Sequence, residues 1–495
     1  MPANNSSPIT VNAYINGQNV ESSKHIPREN PANPDEIVGY YPDNTLEEAK
    51  AAIDAAAEAF KTWSKTSVDE RISMMKSASE KIKAKMDELS VLLAREHGKP
   101  LYDAKGEITI STIWMDYQSG IVKEQIKDYV FEDENGRVIV AHDPVGVVGA
   151  ITPWNYPIIL SLVKVVPALL CGNTMVVKPS PFAPFAIHKI IEIIAAEFPK
   201  GVLNIVHGGG EVGAELTSNP KILKVAFTGG TKTGSTIMKA AADTIKKITL
   251  ELGGNDPGIV LEDFDLNDEK ALRRMVIANF LTGGQICMIA KRVYVHRSIY
   301  DEFVKKYIEA ANKWIRIGDP LNPEVTVGPV NNSKQVQFVQ SLVDDAKNNG
   351  CEIIKLGRIV DEELFKKGYF LQPTLVLGAD YNSRIVLEEQ FGPAVPILPY
   401  DSEEQAIAEA NKIEYGLTSS VWGEEEHAIR VARQIQAGVT MINTAALQGF
   451  DIRFPFGGVK QSGIGREFGP GSFVAYTEEH VLTVPKSGDL PYIPE

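Results

Sequence analysis

The alternation of short apolar runs with helical stretches from about residue 145 onward constrains the fold of this 495-residue chain more than any other feature. Apolar, β-rich runs predict strands at 145–151, 174–178, 202–206, 224–227 and 248–250. Helices are predicted between them, over 183–196 and 233–242. Because strand–helix–strand units connect by right-handed crossovers, they build a mostly parallel sheet with helices on both faces. The sequence therefore predicts an α/β fold.

A second alternating series begins near Pro257 and contains enough elements for a sheet of its own. It includes the GIVLED run, the helix that precedes Cys287, and the RVYVH run at 292–296. We place the boundary between the two α/β units near Gly253-Gly254, where two glycines follow a buried strand.

The first quarter of the chain predicts helices after a short extended segment. Thr45 with Glu48 and Ser67 with Glu70 are capping-box pairs, which predict two helix starts. A third helix is expected to end near Gly98, because Gly and Pro stop helices. The charged segment 123–137 and the tail after residue 474 fit neither alternating series. We interpret them either as arms that reach a neighbouring subunit or as surface loops.

Charge and cysteine content narrow the class of protein. The net charge of -14 argues against general nucleic-acid binding, which needs clustered Lys and Arg. The three cysteines are too widely separated for a disulfide framework or a zinc site, which favours a reducing compartment. The sequence shows no targeting signal and no run of the ~20 apolar residues that a membrane span needs. We therefore expect a cytoplasmic protein that binds neither nucleic acid nor membranes.

Cys287 follows a Gly-Gly step in the run GGQIC and is the first candidate for chemistry. Glycines let the backbone come close to whatever lies in front of it. A cysteine placed there can use its own backbone N–H to stabilise an oxyanion. A free cysteine is more often a small buried hydrophobe than a nucleophile, so both interpretations stay open on spacing alone. Cys171 and Cys351 lack such a context and are interpreted as structural.

Two further polar residues follow predicted strands. Glu251 ends the apolar run KITL, at the carboxyl edge of a parallel sheet where ligands bind. Partial desolvation there would raise its pKa towards that of a general base, although a helix-capping Glu would look the same. Asn155, between the two prolines of PWNYP, is a rigidly held amide that suits an oxyanion donor, and the run could equally be a simple turn.

Phosphate-binding signals occur in two places. The run FTGGTKTG at 227–234 is a strand, a Gly-rich turn and a helix start, which offers backbone N–H groups to a phosphate. The run GGGEVG at 208–213 fits G-x-G-x-x-G but lacks the acidic residue about 20 positions later, so the signal is weak. Lys178, at the end of TMVVK, could bond ribose hydroxyls or be a solvated lysine. The eight histidines show no ligand spacing, so no metal is predicted.

The order of these runs resembles one known family. PWNYP, VVKPS, FTGGTKTG, LELGG, GGQIC, EEQFGP and PFGGVKQSGIGRE occur in the order in which they run through the aldehyde dehydrogenase superfamily, over roughly Tyr14 to Val484. The resemblance implies a Rossmann-like coenzyme-binding domain (1–122 and 145–254), a catalytic domain (255–450) and a small β oligomerisation arm (123–144 and 474–495). It also implies a homodimer or homotetramer.

The resemblance implies a non-acylating dehydrogenase that oxidises an aldehyde with NAD+ or NADP+. Cys287 would form a thioester, Asn155 would hold the oxyanion, and Glu251 would activate the hydrolytic water. Retention of Glu251 speaks against the branch that passes the acyl group to coenzyme A. The coenzyme positions implied are Ile151, Trp154, Lys178, Ser180, Pro181, Gly210, Gly229, Gly230, Gly234, Leu252, Glu389 and Phe391.

Coenzyme choice and substrate are less constrained. Pro181 stands where NAD-preferring members commonly carry Glu, which leaves NADP+ open. Arg453 could bind a distal carboxylate, although a surface ion pair is the favoured interpretation. Positions that resemble the pocket wall favour an apolar aldehyde, and they are Tyr156, Leu160, Val163, Leu281, Ile286, Met288 and Phe450.

Two competing functions fit the sequence poorly. A thiol esterase would share Cys287 and Glu251 but would have no use for Lys178 and the Gly-rich turn. A non-catalytic relative would have lost one of Cys287, Glu251 and Asn155, and all three are present.

Overall fold

The computed structural model describes residues 7–486 of the chain. The α-helices of this part are α1 (Leu46–Trp63), α2 (Val68–Ala84), α3 (Met86–His97), α4 (Leu101–Gln125), α5 (Ile159–Leu170), α6 (Phe185–Ala195), α7 (Gly210–Ser218), α8 (Thr231–Ala242), α9 (Glu269–Phe280), α10 (Tyr300–Trp314), α11 (Ser333–Asn348), α12 (Glu362–Lys367), α13 (Arg384–Leu387), α14 (Glu403–Asn411) and α15 (Glu425–Ala432). The strands are β1 (Ile9–Thr10), β2 (Ala13–Ile15), β3 (Gln18–Val20), β4 (His25–Asn30), β5 (Asn33–Pro42), β6 (Tyr129–Glu132), β7 (Gly136–Pro144), β8 (Val147–Ile151), β9 (Thr174–Lys178), β10 (Leu203–Ile205), β11 (Ile222–Thr228), β12 (Lys247–Glu251), β13 (Asp256–Val260), β14 (Ala290–His296), β15 (Arg316–Ile317), β16 (Glu352–Lys355), β17 (Arg358–Ile359), β18 (Thr374–Leu377), β19 (Ala394–Tyr400), β20 (Tyr415–Gly416), β21 (Thr418–Trp422), β22 (Val439–Ile442), β23 (Val459–Lys460), β24 (Gly463–Ile464) and β25 (Thr477–Pro485).

The first large sheet has eight strands in the order β24-β12-β11-β8-β9-β10-β2-β3. Its central strands, from β12 to β10, are parallel and are the five strands predicted from the sequence. The predicted bounds agree for β9 and differ by at most two residues for the others. The register sets Glu251 beside Thr228, and Ile151 beside Lys178, so the polar strand ends meet at one carboxyl edge.

The second large sheet has seven strands in the order β16-β18-β19-β14-β13-β21-β22. All its pairings are parallel except that of β16 with β18. The chain passes from β12 of the first sheet to β13 of the second through Gly253 and Gly254. Two parallel sheets flanked by helices confirm the predicted α/β fold class.

The N-terminal part contains more strand than the sequence indicated. The short extended segment is in fact β1 to β5, of which β1, β5 and β4 form a separate sheet, while β2 pairs with β10 and β3 forms the edge of the first large sheet. Both predicted capping boxes, at Thr45 and Ser67, are formed. Helix α3 ends as predicted at Gly98, whose φ of 93° is left-handed.

The segments that fitted neither series form a third sheet, in the order β25-β7-β6. Helix α4 runs to Gln125, so residues 123–125 of the predicted arm belong to its last turn. Tyr129, Phe131 and Val481 expose large apolar side chains on this sheet. Residues 487–495 of the predicted arm lie outside the described part of the chain. Among residues 7–486, no helix combines the length and the apolarity needed to cross a membrane.

Candidate active site

Cys287 follows a left-handed turn at the end of α9. Thr282, Gly283 and Gly284 all have positive φ, of 54°, 63° and 75°. A Cβ on Gly284 would collide with the carbonyl of Gly392, so only glycine fits there. Thr282 is β-branched, so its left-handed backbone costs about 1–3 kcal/mol and requires support from neighbouring contacts. The turn sets Cys287 on the wall of an internal cavity.

Asp103 of α4 provides that support and joins the turn to the segment that carries Asn155. The Tyr156 hydroxyl donates to Asp103 Oδ1 at 2.8 Å, and the Thr282 hydroxyl donates to the other oxygen. The two hydroxyl oxygens are themselves 2.8 Å apart. Because Tyr156 follows Asn155 directly and Thr282 begins the turn before Cys287, Asp103 couples the positions of both segments.

Cys287 and Asn155 face the same cavity of about 280 Å³. Its lining is mostly apolar and consists of Asp103, Gly106, Glu107, Ile110, Asn155, Tyr156, Ile159, Leu160, Ile286, Cys287, Met288, Leu447, Phe450, Phe456 and Phe468. Two residues of the expected wall are not part of it. Val163 is 1% exposed and packs in the core, and Leu281 lines a separate cleft beside α9 and α10.

Glu251 ends β12 with its side chain buried and incompletely bonded. The residue is 4% exposed, and its Oε1 has no hydrogen-bond partner among the described residues. Burial raises the pKa of this carboxyl well above its ordinary value, and the negative charge of Glu467 raises it further. A carboxyl with a raised pKa takes up a proton readily near neutral pH, as a general base must.

Glu467 is a second incompletely bonded carboxyl, and its charge acts on Glu251. Its Oε1 lies 2.7 Å from Lys164 Nζ, which also donates to Thr228 Oγ1 at 2.7 Å. Its Oε2 is buried with no partner in the described part of the chain. Lys164 lowers the pKa of Glu251 while Glu467 raises it, so this ion pair tunes the protonation of Glu251.

The surroundings of Cys287 favour its protonated thiol over the thiolate. Burial raises its pKa to about 12, and the charges of Asp256, Glu389 and Glu251 act in the same direction. Lys291 opposes them: its Nζ donates to the Cys287 carbonyl oxygen at 2.5 Å and lies 3.4 Å from Glu389 Oε1. Attack by sulfur on a carbonyl therefore needs a base that removes the thiol proton.

Glu107, the other carboxyl on the cavity wall, is fully bonded. Its Oε1 accepts from the N–H groups of Ile158 and Ile159 at 2.7 and 3.2 Å, at the start of α5. Its Oε2 lies 2.7 Å from Lys99 Nζ, and both side chains are 0% exposed. Lys99 Nζ also lies 3.4 Å from the centroid of the Tyr156 ring. This network fixes α4 against the segment that carries Asn155.

The carboxyl edge of the first sheet fits a dinucleotide. Lys178 is 7% exposed, and no charged partner acts on it within residues 7–486, so burial alone lowers its pKa to about 8. Helices α7 and α8 begin after Gly209 and Gly230 without a side-chain cap, and a Cβ on either glycine would meet nothing within 4 Å. Open helix N-termini beside a buried amine suit phosphate and ribose groups.

The same edge of the sheet also has a residue with a strained backbone, Phe391, and a buried hydroxyl without a partner in the described chain, that of Thr152. Phe391 has a φ of 47°, and its ring meets the Trp154 ring edge to face at 5.4 Å. Thr152 Oγ1, next to the end of β8, is buried without a partner among the described residues. Glu389 Oε1 accepts from the N–H of Gly254 at 3.2 Å. The other coenzyme positions implied by the resemblance also lie at or beside this edge, namely Ile151, Ser180, Pro181, Gly210, Gly229, Gly234 and Leu252.

Several cavity residues had not been predicted. Asp103 and Glu107 are four residues apart, so helical spacing would have put them on one face of α4. Phe456 and Phe468 join Phe450 in a cluster with ring centroids 4.7 to 6.3 Å apart. No local pattern marks these aromatic residues, because only the folded chain brings them together.

Three other residues lie away from the site. Arg453 is 65% exposed and its Nη2 lies 2.6 Å from Asp451 Oδ2, which is the surface ion pair that the sequence favoured. Cys171 and Cys351 are buried free thiols, in agreement with a structural role.

Within residues 7–486, no three His, Cys, Asp or Glu side chains are grouped so as to hold a metal ion.

Comparison with known proteins gives one consistent family. A family model described as "Aldehyde dehydrogenase family" matches residues 18–482. The chain is 37% identical to the NADP(+) succinate-semialdehyde dehydrogenase of Escherichia coli over 473 residues, 94% of this chain and 96% of that protein. It is 38% identical to the peroxisomal aminoaldehyde dehydrogenase 1 of Pisum sativum over 459 residues, 90% of each. The solved structure of betaine aldehyde dehydrogenase from Staphylococcus aureus with NAD+ has a TM-score of 0.91 at 32% identity, with 98% of this chain and 96% of that chain covered.

Proposed function

The chain belongs to the aldehyde dehydrogenase family, and from this premise we propose which of its residues oxidise an aldehyde to a carboxylic acid with NAD(P)+. One observation carries the assignment. Cys287 and Asn155 line the same cavity, and the incompletely bonded carboxyl of Glu251 is close enough to raise the pKa of the Cys287 thiol. These observations support a site in which nucleophile, oxyanion donor and base act together.

The reaction begins with attack by the Cys287 sulfur on the aldehyde carbon. The C–S bond forms as the C=O π electrons move onto oxygen, and the thiol proton is taken up by solvent water, so Glu251 stays available as a base. The Asn155 amide and the Cys287 backbone N–H donate hydrogen bonds to the resulting oxyanion. The left-handed turn and the Asp103 contacts keep these groups in place before substrate arrives.

NAD(P)+, when bound, supplies the hydride acceptor. After oxidation the acyl group remains on Cys287 as a thioester. Glu251 removes a proton from water, and the water oxygen adds to the thioester carbon. The C–S bond then breaks to release the acid, and the proton on Glu251 returns to the Cys287 thiolate. The unbonded Oε1 of Glu251 supports this role, because a carboxyl already saturated by hydrogen bonds could not accept a proton from water.

The coenzyme would lie along the carboxyl edge of the first sheet. Lys178 would bind the adenosine ribose, the N-terminus of α8 at Gly230 would face the pyrophosphate, and Glu389 and Phe391 would hold the nicotinamide end. At Pro181 no carboxylate is present to repel a 2′-phosphate. The chain is therefore proposed to use NADP+ as well as NAD+, a proposal to abandon if the KM for NADP+ exceeds that for NAD+ by about a hundredfold.

The division of the chain follows the same logic. Residues 1–122 and 145–254 are proposed as the coenzyme-binding domain, 255–450 as the catalytic domain, and 123–144 with 474–495 as an arm. The apolar side chains that β6 and β25 expose support assembly into a homodimer or homotetramer, because such patches mark protein interfaces. The three widely separated cysteines, which are free thiols in the described chain, support a reducing compartment such as the cytoplasm.

Initial rates at 340 nm test the proposal. Wild type, Cys287→Ala and the matched control Cys351→Ala are given a panel of aldehydes with NAD+ and NADP+ separately. We expect coenzyme reduction by wild type and by Cys351→Ala, and none above background by Cys287→Ala. Activity that survives in Cys287→Ala would reject this nucleophile. A folded wild-type protein that reduces neither coenzyme with any aldehyde would reject the function.

A further inference from the structure

The two carboxyl groups on the cavity wall are not free to bind a positively charged substrate. Asp103 accepts a hydroxyl on each of its oxygens, from Tyr156 and Thr282. Glu107 accepts two backbone N–H groups on one oxygen and the Lys99 ammonium on the other. Both residues are almost completely buried. A cationic substrate would have to break these bonds before it could pair with either carboxylate.

No cation on the wall is free to bind a negatively charged substrate either. The cavity lining in the described part of the chain contains no lysine, arginine or histidine. Lys99 lies behind the Tyr156 ring in a buried pair with Glu107, and Lys291 is engaged by the Cys287 carbonyl oxygen and Glu389. Arg453 faces solvent beside Asp451. An anionic substrate would lose its hydration in this cavity without gaining a partner, which is unfavourable.

The remaining wall is apolar and closes on the aromatic cluster of Phe450, Phe456 and Phe468. Phe450 meets Phe468 at 77° and Phe456 at 89°, with ring centroids 4.7 and 5.6 Å apart. This edge-to-face packing engages the π faces within the cluster. Recognition of a quaternary ammonium would instead require open ring faces that converge on the charge. The cluster therefore suits a hydrocarbon group.

We propose that the substrate is an uncharged, apolar aldehyde with a compact aliphatic or phenyl-bearing chain. The proposal rests on the proposed function of the Cys287 cavity. The volume of about 280 Å³ lies near the lower limit for small-molecule pockets, which favours a compact substrate. The chain would thus differ from relatives that are named for succinate semialdehyde, aminoaldehydes and betaine aldehyde.

Two pairs of aldehydes that differ in charge and not in shape provide the test. Betaine aldehyde is paired with 3,3-dimethylbutanal, in which carbon replaces the ammonium nitrogen. Succinate semialdehyde is paired with 4-methylpentanal, in which two methyl groups replace the carboxylate oxygens. Phenylacetaldehyde completes the panel. The measured quantity is kcat/KM for each aldehyde, corrected for its hydrated fraction.

We expect the neutral member of each pair to have a kcat/KM about a hundredfold higher or more, because the charged member enters the cavity without a partner. A charged aldehyde that matches or exceeds its neutral partner would overturn the substrate class, while its turnover would leave the proposed function intact. If no aldehyde of the panel reduced either coenzyme, the proposed function would fail and the substrate class with it.

A pair of variants at Ile110 tests whether charge sets the preference. Ile110 is partly buried on the cavity face of α4. Ile110→Lys adds a cation to the wall, whereas Ile110→Met has similar length and no charge. In Ile110→Lys we expect the kcat/KM ratio of succinate semialdehyde to 4-methylpentanal to rise at least about tenfold. Ile110→Met should leave this ratio as in wild type. Equal ratios in the two variants would show that charge does not set the preference.

Discussion

The buried carboxyl groups on the two sides of Cys287 are built in opposite ways. On the α4 side, Asp103 and Glu107 have every oxygen bonded by protein groups. On the β12 side, Glu251 and Glu467 each keep one buried oxygen without a partner in the described chain. A carboxyl whose oxygens are all hydrogen-bonded keeps the surrounding segments in position, because a change in its protonation would break those bonds. Unsaturated carboxyls can exchange a proton at little structural cost, and this is what a hydrolytic base must do.

The substitution Glu251→Gln, on the β12 side, should cause the largest loss of activity. The amide keeps the size of the side chain but cannot take a proton from water, so the thioester on Cys287 would accumulate. We expect kcat to fall at least about 10³-fold, which corresponds to about 4 kcal/mol. Stopped-flow absorbance should show a burst of about one equivalent of reduced coenzyme per site and then almost none.

The conformational stability of Glu251→Gln is the control for this prediction. Because the wild-type carboxyl is buried with an unpartnered oxygen, its neutral replacement should unfold at the same urea concentration or a higher one. Steady-state turnover above a tenth of the wild-type rate would contradict a role for Glu251 as the base.

The substitution Glu107→Gln, on the α4 side, should lower the stability of the fold, in contrast to Glu251→Gln. It leaves the Lys99 ammonium buried without a counter-charge, so the free energy of unfolding should fall by about 3 kcal/mol. Urea unfolding followed by circular dichroism measures the loss. The double variant Lys99→Met with Glu107→Leu removes both charges and should recover most of the stability. A single variant as stable as wild type would show that this pair does not hold the fold.

The substitution Asp103→Asn should lower the rate indirectly, because it disturbs the positions of Thr282 and Tyr156 and removes no reacting group. The Asn amide can accept only one of the two hydroxyls, so the strained Thr282 backbone loses part of its support. We expect kcat to fall about 30-fold, or about 2 kcal/mol, with the KM for coenzyme unchanged.

A second variant separates positioning from general damage at Asp103. If Asp103 acts through Tyr156, then Tyr156→Phe should add little to the loss in Asp103→Asn, since the two residues share one network. Additive losses would show that Asp103 does not act through this contact.

The sequence was sufficient to predict the elements that local chemistry determines. The five central strands, both capping boxes and the helix end at Gly98 follow from spacing and from cap residues, which act over a few positions. The register of parallel strands then brings Glu251 and Lys178 to one sheet edge, which strand order alone could suggest. The placement of Cys287 and Asn155 on one cavity required the fold itself.

The cavity contacts could not be predicted because they join distant parts of the chain. Asp103 bonds to Thr282, which lies 179 positions later in the sequence. The Phe450 ring packs on the Phe468 ring, and the sequence around these two residues shows no periodic pattern that would predict the contact. The position of Val163 has a similar cause, because only the folded chain shows that its side chain packs in the core and not on the lining of this cavity. Whether a buried carboxyl is saturated likewise depends on such contacts.

The smallest expected effect is a change in the pH dependence of the rate when the charges around Glu251 are altered. Glu251 acts as a base only when ionised, so the rate should rise with pH through its raised pKa. Glu467 raises that pKa, whereas Lys164 and Arg466 lower it. Glu467→Gln removes the negative charge and leaves both cations, so the pKa of Glu251 must fall. The acidic limb of kcat should then move to lower pH. Lys164→Met should move it to higher pH, and Glu479→Gln, at an exposed glutamate, should not move it. A limb that stayed in place or moved upward in Glu467→Gln would show that the Glu467 charge does not raise the pKa of Glu251.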